Sequence, residues 1–367
     1  MFHASGEIAV VAQLDTIFRR AVSIMSAKTP NRLTTPGRSR SHAIGGSNHL
    51  IGARRGAASH QEILLSTLRL NSVLPFSLFT KIEGEYLMYR KQDLPFTGTQ
   101  HNALRSSGVD RLYVAGHDLD SYWEYLRGNI RSTLVEGTLS TAERSTAFYD
   151  STAALAEQIF ALPITKDAFG TAAVLVSESV KLQGEGKHML HALMQQMKSE
   201  PSLYHRSLDN CIYGLALGQA VGLQRQDLES LGLGLFFMDI GMLHVPAQVV
   251  DKQAEFSGQE RDQVRQHPVL GVTALSALSG VQEITRNVIY GHHERIDGSG
   301  YPQGCHGNEV RLESRIAGIV DTFAALTSAR PHRPAYTTYE ALTVMQKTLC
   351  STFDLDLLRV LIRLLGR

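Results

Sequence analysis

The residues best suited to chemistry lie in one short string near the C-terminal end of the chain. Residues 290–302 read Tyr-Gly-His-His-Glu-Arg-Ile-Asp-Gly-Ser-Gly-Tyr-Pro. The adjacent His292 and His293 are natural ligands for a transition metal, because a neutral imidazole nitrogen offers a lone pair to such ions. The glycines that follow allow the backbone to turn sharply beside a bound group. The string therefore predicts a metal site next to a tight loop.

Four other segments carry histidines or carboxylates that complete a pattern. They read Leu-Tyr-His-Arg-Ser-Leu around His205, Phe-Met-Asp-Ile-Gly-Met around Asp239, Arg-Gln-His-Pro around His267, and Gly-Ile-Val-Asp-Thr around Asp321. Together with the string above, they resemble the signature of the HD-GYP family, bacterial metal-dependent phosphodiesterases of cyclic di-GMP. The resemblance covers residues 185–367, and it implies an all-helical HD-type domain whose metal ligands come from separate helices.

The resemblance implies two metal sites that share Asp239 as the catalytic, bridging carboxylate, with iron or manganese as the ions. One site would use Asp239, His267, His292 and His293, and all four are present. The other would use His205, residue 238, Asp239 and Asp321. The family has histidine and lysine where this chain has Met238 and Met242, and a thioether is a poor ligand for hard or borderline divalent ions. One sound site and one weakened site are therefore expected.

A substrate-binding side is also implied by the resemblance. Arg330 and Arg333 match basic positions expected to contact the phosphates of cyclic di-GMP, and arginine suits this role because it binds phosphate oxygens in a bidentate manner. The loop residues expected beside the substrate are Asp297, Gly300, Tyr301 and Pro302. The implied reaction is attack on a phosphodiester by water activated between two ions. The missing cation at position 242 is expected to slow it.

Three functions stay open on the sequence. The first is a cyclic di-GMP phosphodiesterase with reduced activity. The second is a non-catalytic protein that binds cyclic di-GMP or a signalling protein partner, and the changes at positions 238 and 242 favour it. The third is a phosphohydrolase for another nucleotide, which the Gly-Tyr-Pro segment disfavours. A homodimer is compatible with each of the three.

The composition of the whole chain excludes several classes of protein. Among 367 residues, 36 Lys and Arg stand against 35 Asp and Glu, and this balance argues against charge-driven binding to bulk nucleic acid or to an anionic membrane. No segment has the ~18 uninterrupted apolar residues that a membrane span needs. The three cysteines include no Cys-x-x-Cys pair, which indicates a reducing compartment. We therefore expect a cytoplasmic protein.

The order of segments predicts a mainly α protein with a small α+β module before the HD-type domain. Residues 1–58 are expected to be a disordered basic leader. Their second half is rich in Arg, Ser, Gly and Thr, and a segment of this composition buries too little apolar surface to offset its ordering entropy. Residues 140–184 are expected to be a helical connector, and residues 185–367 the HD-type domain. Residues 60–132 are expected to form the α+β module, with strands at 77–82, 85–89 and 111–115 and helices at 99–106 and 121–126.

Overall fold

The structure is a computed structural model that divides into two compact units. It describes residues 59–82, 84–135, 139–161, 164–197, 202–250, 252, 254–329 and 334–366. The division between the units falls near residue 125. The first unit contains strands and helices, and the described part of the second contains helices and one isolated β-bridge. The chain is thus mainly α, which confirms the predicted fold class. The expected leader, residues 1–58, lies outside the described residues.

The first unit is built around an antiparallel sheet. Its strands are β1 (His60–Leu64), β2 (Ser72–Leu74), β3 (Leu78–Ile82), β4 (Glu85–Arg90), β5 (Leu94–Phe96) and β6 (Arg111–Ala115). Four of them form one sheet in the order β1-β6-β3-β4, and β2 pairs with β5. The predicted strands are confirmed as β3, β4 and β6. The other three were not predicted, because β2 and β5 have only three residues each and β1 begins with three polar residues, so none of them shows alternation of apolar and polar residues.

Aromatic residues close the core of the first unit. The helices are α1 (Gly98–Ser106) and α2 (Leu119–Val135), of which the residues up to Tyr125 belong to the first unit and the rest to the second. In α2, Tyr122 and Tyr125 are buried, and both rings contact Phe76 edge-on at centroid distances of 5.4 and 5.3 Å. The Tyr125 hydroxyl accepts a hydrogen bond from the Arg69 backbone N–H at 2.7 Å. These aromatic residues are therefore packed in the core of the first unit.

The second unit is a set of packed helices that follow α2. They are α3 (Thr141–Ala161), α4 (Lys166–Gln183), α5 (Lys187–Gln196), α6 (Leu203–Ala220), α7 (Arg225–Phe237), α8 (Ala247–Val250), α9 (Gly258–Arg265), α10 (His267–Leu275), α11 (Glu283–Gly291), α12 (Leu312–Thr327), α13 (Thr338–Lys347) and α14 (Leu355–Leu365). Helix α3 packs against α5 and α6, and α4 packs against α5 and α7. The segment expected to be a connector thus belongs to this unit. Over the described ranges, none of the helices combines the length and apolar character needed to cross a bilayer.

A close backbone approach positions the residues of the candidate site. A short 3₁₀ turn, Ile240–His244, follows α7 and lies against α10. A Cβ at Gly241 would collide with the carbonyl of His267 and the backbone nitrogen of Gly271, so only glycine allows this approach. Asp239 immediately precedes the turn, and His267 is the first residue of α10. The absence of a side chain at position 241 therefore brings Asp239 beside His267.

Candidate metal centre

Four side chains converge on one buried point in the second unit. Asp239, His267, His292 and His293 each present one ligand atom, and these atoms all lie within 4.8 Å of one another. The first three residues are buried and His293 is partly exposed. Metal–ligand bonds of about 2.0–2.2 Å place neighbouring ligand atoms roughly 3 Å apart and opposite ones roughly 4 Å apart. The spacing of the four atoms therefore fits one transition-metal ion.

Backbone carbonyls fix two of the imidazoles in the tautomer that binds metal. His267 Nδ1 lies 2.7 Å from the Val264 oxygen, and His292 Nδ1 lies 2.9 Å from the Ile289 oxygen. A carbonyl oxygen only accepts, so Nδ1 carries the proton and Nε2 of the neutral ring presents its lone pair. The two Nε2 atoms are 3.0 Å apart. Two lone pairs at this distance repel each other unless a proton or a metal ion lies between them.

The environment of the histidines disfavours the proton. Burial, with a further contribution from His292, lowers the pKa of His267 to about 4. Burial, His292 and His267 likewise lower the pKa of His293 well below its usual value. At neutral pH these imidazoles are therefore uncharged, which is the form that binds a metal. A metal ion is the partner that this half of the site fits.

Asp239 supplies a negative charge to the same point. Its Oδ1 lies 3.4 Å from His267 Nε2 and 3.8 Å from His292 Nε2. Burial raises the pKa of this carboxyl, but Arg206 and the histidines outweigh burial and hold the pKa well below its usual range. Asp239 is therefore a carboxylate at neutral pH and can serve as a metal ligand.

The other oxygen of Asp239 faces an arginine. Arg206 Nη2 lies 3.3 Å from Asp239 Oδ2 and 2.9 Å from Asp321 Oδ1. Asn210, one turn further along α6, places its Nδ2 3.5 Å from the same oxygen of Asp321. The charge of Asp239 is the main reason why the pKa of Arg206 is raised above its usual value, and Asp321 adds to it. A guanidinium thus bridges the two carboxylates that the sequence assigns to a second ion.

His205 lies elsewhere, and here the structure differs from the prediction. Its Nδ1 is 2.6 Å from Ser202 Oγ, and its ring neighbours those of Tyr149 and Tyr204. Successive residues of an α-helix point about 100° apart, so positions 205 and 206 face different surroundings. Arg206 rather than His205 holds the position that faces Asp239. The expected ligand set of the second site, which includes His205, is not brought together.

The methionines at positions 238 and 242 belong to apolar packing. Met238 is fully buried in the core, and Met242 packs against the cluster of Val245, Val249 and Val250. A thioether fills such space well but is a weak ligand for hard divalent ions and carries no charge. Neither side chain therefore replaces the histidine or the lysine of the pattern that the sequence resembles. Asp239 and Asp321 alone fit a second ion poorly, because Arg206 already pairs with both.

The loop after the histidine pair places an aromatic ring on the site. The Tyr301 ring stacks on His293 with a centroid distance of 4.6 Å, and the Arg265 guanidinium lies 5.3 Å from the Tyr301 centroid. The Tyr301–Pro302 peptide bond is cis. Gly300 is needed here, because a Cβ would collide with the backbone of the preceding turn. Gly300, Tyr301 and Pro302 thus form a wall beside His293.

Two acidic residues hold this loop in different ways. Asp297 is exposed, and its Oδ1 accepts hydrogen bonds from the backbone N–H (3.0 Å) and the hydroxyl (2.6 Å) of Ser299. Glu294 is buried and accepts hydrogen bonds from the backbone N–H groups of Gln303 at 2.7 Å and Cys305 at 3.0 Å. Glu294 ties the loop to the histidine pair. Sequence reasoning missed this role, and its only signal was an acid directly after His293.

Three arginines of the sequence motifs remain to be located. Arg295 Nη1 donates hydrogen bonds to the backbone oxygens of His292 at 3.1 Å and Glu294 at 2.8 Å. Its guanidinium therefore braces the end of α11. Arg330 and Arg333, the expected phosphate-binding residues, lie outside the described residues.

Comparisons with known proteins agree with the geometry of the site. A family model described as the HD domain matches residues 192–357. A cyclic di-GMP phosphodiesterase of Pseudomonas aeruginosa is 29% identical over 177 residues, which cover 48% of this chain and 42% of the relative. A 3'3'-cGAMP-specific phosphodiesterase of Vibrio cholerae is 33% identical over 148 residues, which cover 40% of this chain and 34% of the relative. The response regulator RpfG of Xanthomonas campestris, a cyclic di-GMP phosphodiesterase, is 31% identical over 139 residues, 38% of this chain and 37% of the relative.

These matches are partial in length, and one solved structure extends the comparison of folds. The chain spans between 34% and 42% of the length of these three relatives. Bd1817, an HDG"Y"P protein from Bdellovibrio bacteriovorus, superposes with a TM-score of 0.64 at 20% identity, covering 84% of this chain and all of that one. At this identity the likeness concerns the fold alone. The family match and the relatives thus place an HD domain of the HD-GYP type at residues 192–357, with Met-Asp at positions 238 and 239 where the family pattern has His-Asp.

Proposed function

We propose that this chain is an HD-GYP-type cyclic di-GMP phosphodiesterase whose metal-dependent hydrolysis is slow. The observation that carries the proposal is the pair of Nε2 atoms of His267 and His292, 3.0 Å apart beside the Asp239 carboxylate. Three imidazoles and one carboxylate suit iron or manganese. The relatives, named as phosphodiesterases of cyclic di-GMP or 3'3'-cGAMP, support a cyclic dinucleotide as the class of substrate.

The proposed roles follow from where the residues lie. Asp239, His267, His292 and His293 hold the ion, which when bound supplies a water of lowered pKa and neutralises phosphate charge. Tyr301 lies beside His293 and limits the space in which a phosphodiester approaches. The proposed substrate-facing loop consists of Asp297, Gly300, Tyr301 and Pro302.

The phosphate contacts form a separate part of the proposal. Arg330 and Arg333 are assigned to the phosphates of the substrate because a guanidinium pairs with two phosphate oxygens at once. The absence of a lysine at position 242 removes one cation from the site. The loss of one such electrostatic contact typically slows an enzyme by ~10²–10³-fold. A slow enzyme is therefore expected, even with its metal bound.

A second candidate function is binding of cyclic di-GMP, or of a partner protein, without hydrolysis. The observation that favours it is the contact of Arg206 with Asp239 and Asp321. In a two-ion mechanism both ions clamp the phosphate and activate water. A protein whose second position already pairs with an arginine lacks half of that apparatus but keeps the histidine side, where a bound ion would supply positive charge. Such a site still binds an anionic dinucleotide.

Incubation with substrate separates the two candidates. Purified protein loaded with Mn²⁺ or Fe²⁺ is mixed with cyclic di-GMP, and in parallel with 3'3'-cGAMP, and the products are followed by chromatography. Slow turnover that disappears in His293→Ala supports the phosphodiesterase. Binding seen by calorimetry without product supports the second candidate. If the protein neither binds nor hydrolyses either dinucleotide, both proposals fail.

The cellular setting belongs to the same proposal. Cys211, Cys305 and Cys350 are all free thiols, which fits a reducing compartment such as the cytoplasm. A signalling protein partner and a homodimer are further proposals. Size-exclusion chromatography with light scattering, with and without cyclic di-GMP, tests the homodimer directly.

A further inference from the structure

We propose that Arg206 takes the place of the second metal ion, so that each chain binds a single ion. The inference rests on the proposed metal site but not on hydrolysis. It concerns the side of Asp239 that faces away from the histidines. The number of ions bound per chain tests it without any substrate.

The first support is the position of the guanidinium. A bridging metal would contact Asp239 and Asp321 at once, and Arg206 Nη2 already lies 3.3 Å from one carboxylate and 2.9 Å from the other. Asn210 reinforces the arrangement, with its Nδ2 3.5 Å from the same oxygen of Asp321. Arg206 and Asn210 lie four residues apart on α6 and therefore share one helix face. Two side chains of one helix face thus contact Asp321.

The second support is that the two carboxylate oxygens of Asp239 have different partners. Oδ1 faces His267 and His292, at 3.4 and 3.8 Å, whereas Oδ2 faces Arg206. A carboxylate that bridges two metal ions uses one oxygen for each of them. Here the second oxygen is already paired with a positive charge. A further ion would have to lie beside a guanidinium, and like charges at short range in a buried site repel strongly.

The third support is the shortage of neutral ligands on the arginine side. Residue 238 is a buried methionine, and His205 lies beside Ser202, Tyr149 and Tyr204. No imidazole of the described residues joins Asp239 and Asp321 on this side. A transition metal held by two carboxylates alone would bind weakly. An arginine, by contrast, satisfies both carboxylates with permanent charge and needs no further ligand.

Arg206 also changes what this half of the site can do. A divalent ion provides open coordination positions for water and phosphate. A guanidinium provides only fixed N–H donors, which bind a phosphate oxygen but do not lower the pKa of water. The arginine side, where one guanidinium faces two carboxylates, therefore offers neither an open coordination position nor a net positive charge. Activation of water is left to the single ion on the histidine side.

Metal counting with four proteins tests the inference. Wild type, Met238→His and the double variant Met238→His/Arg206→His are saturated with Mn²⁺ and desalted. Bound manganese per chain is then measured by mass spectrometry, and spin coupling between ions by electron paramagnetic resonance. Arg225→His is the matched control, because Arg225 is an exposed arginine paired with Glu229 on α7. It should leave the count unchanged.

We expect one manganese per chain in wild type and in Met238→His, and two coupled ions in the double variant. Two ions in wild type or in Met238→His would overturn the inference, because the restored histidine would then suffice despite Arg206. One ion in a folded double variant would also overturn it. If circular dichroism shows the double variant unfolded, Met238→His/Arg206→Gln replaces it with the same expectation. No bound ion in wild type would overturn the proposed metal site itself, a result distinct from two ions.

Discussion

The two oxygens of Asp239 face different sources of positive charge. On the Oδ1 side, His267 and His292 turn their Nε2 atoms toward each other, 3.0 Å apart, and this arrangement needs an added cation. On the Oδ2 side, two carboxylates meet the guanidinium of Arg206, and the protein supplies the cation itself. The comparison shows that one side chain on a helix can change how many ions a site needs without changing the fold.

The two sides of Asp239 also differ in how much of the expected metal site they keep. The histidine side keeps its ligands, its Nδ1 hydrogen bonds and the ring of Tyr301. The arginine side keeps Asp321, but the guanidinium of Arg206 forms an ion pair with this carboxylate. Each of the following changes acts on one side or on the helix between them, from the largest expected effect to the smallest.

The largest effect is expected from His267→Ala, which removes a ligand of the histidine side. Affinity for Mn²⁺ should fall at least ~1,000-fold, equivalent to about 4 kcal/mol, because one of four ligand atoms is lost. Isothermal titration calorimetry measures the change. His244→Ala, which removes an exposed histidine at the end of the 3₁₀ turn, should leave the affinity unchanged. Equal losses in both variants would contradict the assignment.

Arg206→Ala acts on the other side and should mainly change stability. Asp239 and Asp321 would lose their shared partner inside the protein, and breaking a buried pair costs about 3 kcal/mol or more. The free energy of unfolding without metal, from urea titration, is expected to fall by that amount. Exposed Arg225→Ala should cost less than ~1 kcal/mol. A loss no larger than that of the control would show that the bridging arginine contributes little.

Asp209→Asn tests a buried carboxyl group of α6 that contacts Tyr149 rather than the metal cluster. Burial raises the pKa of Asp209 from 3.8 to about 8, and the hydrogen bond from Tyr149 (2.9 Å) opposes this only in part. The folded state keeps a proton that the unfolded state loses, so stability is complete below about pH 4 and falls as pH rises towards 8. We expect a decline of roughly 1 kcal/mol per pH unit between pH 5 and 7. The decline should be absent in Asp209→Asn.

Thermal and urea unfolding at several pH values provide that comparison. Affinity for Mn²⁺ should be equal in the two proteins, since Asp209 contacts Tyr149 and lies outside the metal cluster. An unchanged pH profile in the variant would mean that Asp209 is already ionised in the folded protein. A changed metal affinity would mean that Asp209 is coupled to the metal site.

The smallest effect is expected from Glu294→Gln, which loosens the loop on the histidine side. The carboxylate accepts two backbone hydrogen bonds, and an amide can accept with only one of its two end atoms. Stability should fall by about 1–2 kcal/mol, with a several-fold weaker affinity for Mn²⁺ as Tyr301 shifts from His293. Glu309→Gln, in the exposed part of the same loop, is the control. Equal losses of stability and of Mn²⁺ affinity in both variants would contradict the specific role of Glu294.

The sequence predicted the helical class and the grouping of the main candidates because both depend on strong local signals. The adjacent histidines and the Asp239 and His267 motifs contain ligand types in a recognisable order, and helices carry the periodicity of their apolar residues. Strands β2 and β5 have three residues each, and β1 begins with three polar residues, so none of them shows such a pattern. Their pairing is decided by contacts with distant strands, which a local reading does not contain.

The side of the site around α6 could not be read from the sequence for a geometric reason. His205 and Arg206 are neighbours, and ligand chemistry alone favours the histidine. Which of them faces Asp239 depends on the rotation of the helix, where a shift of one residue is about 100°. The contacts of Asp209 with Tyr149 and of Asn210 with Asp321 fix that rotation. Glu294 was missed for a similar reason, since its partners are backbone groups nine and eleven residues away.

The central claim is that Asp239 has a metal ion on one side and Arg206 on the other. Anomalous X-ray diffraction from a crystal of the Mn²⁺-loaded protein, collected at the manganese edge, tests it most directly. We predict one anomalous peak bonded to Asp239, His267, His292 and His293 at about 2.0–2.2 Å, with Arg206 still paired to Asp321. Two peaks about 3.5–4 Å apart, with the Arg206 side chain displaced from Asp321, would contradict the account.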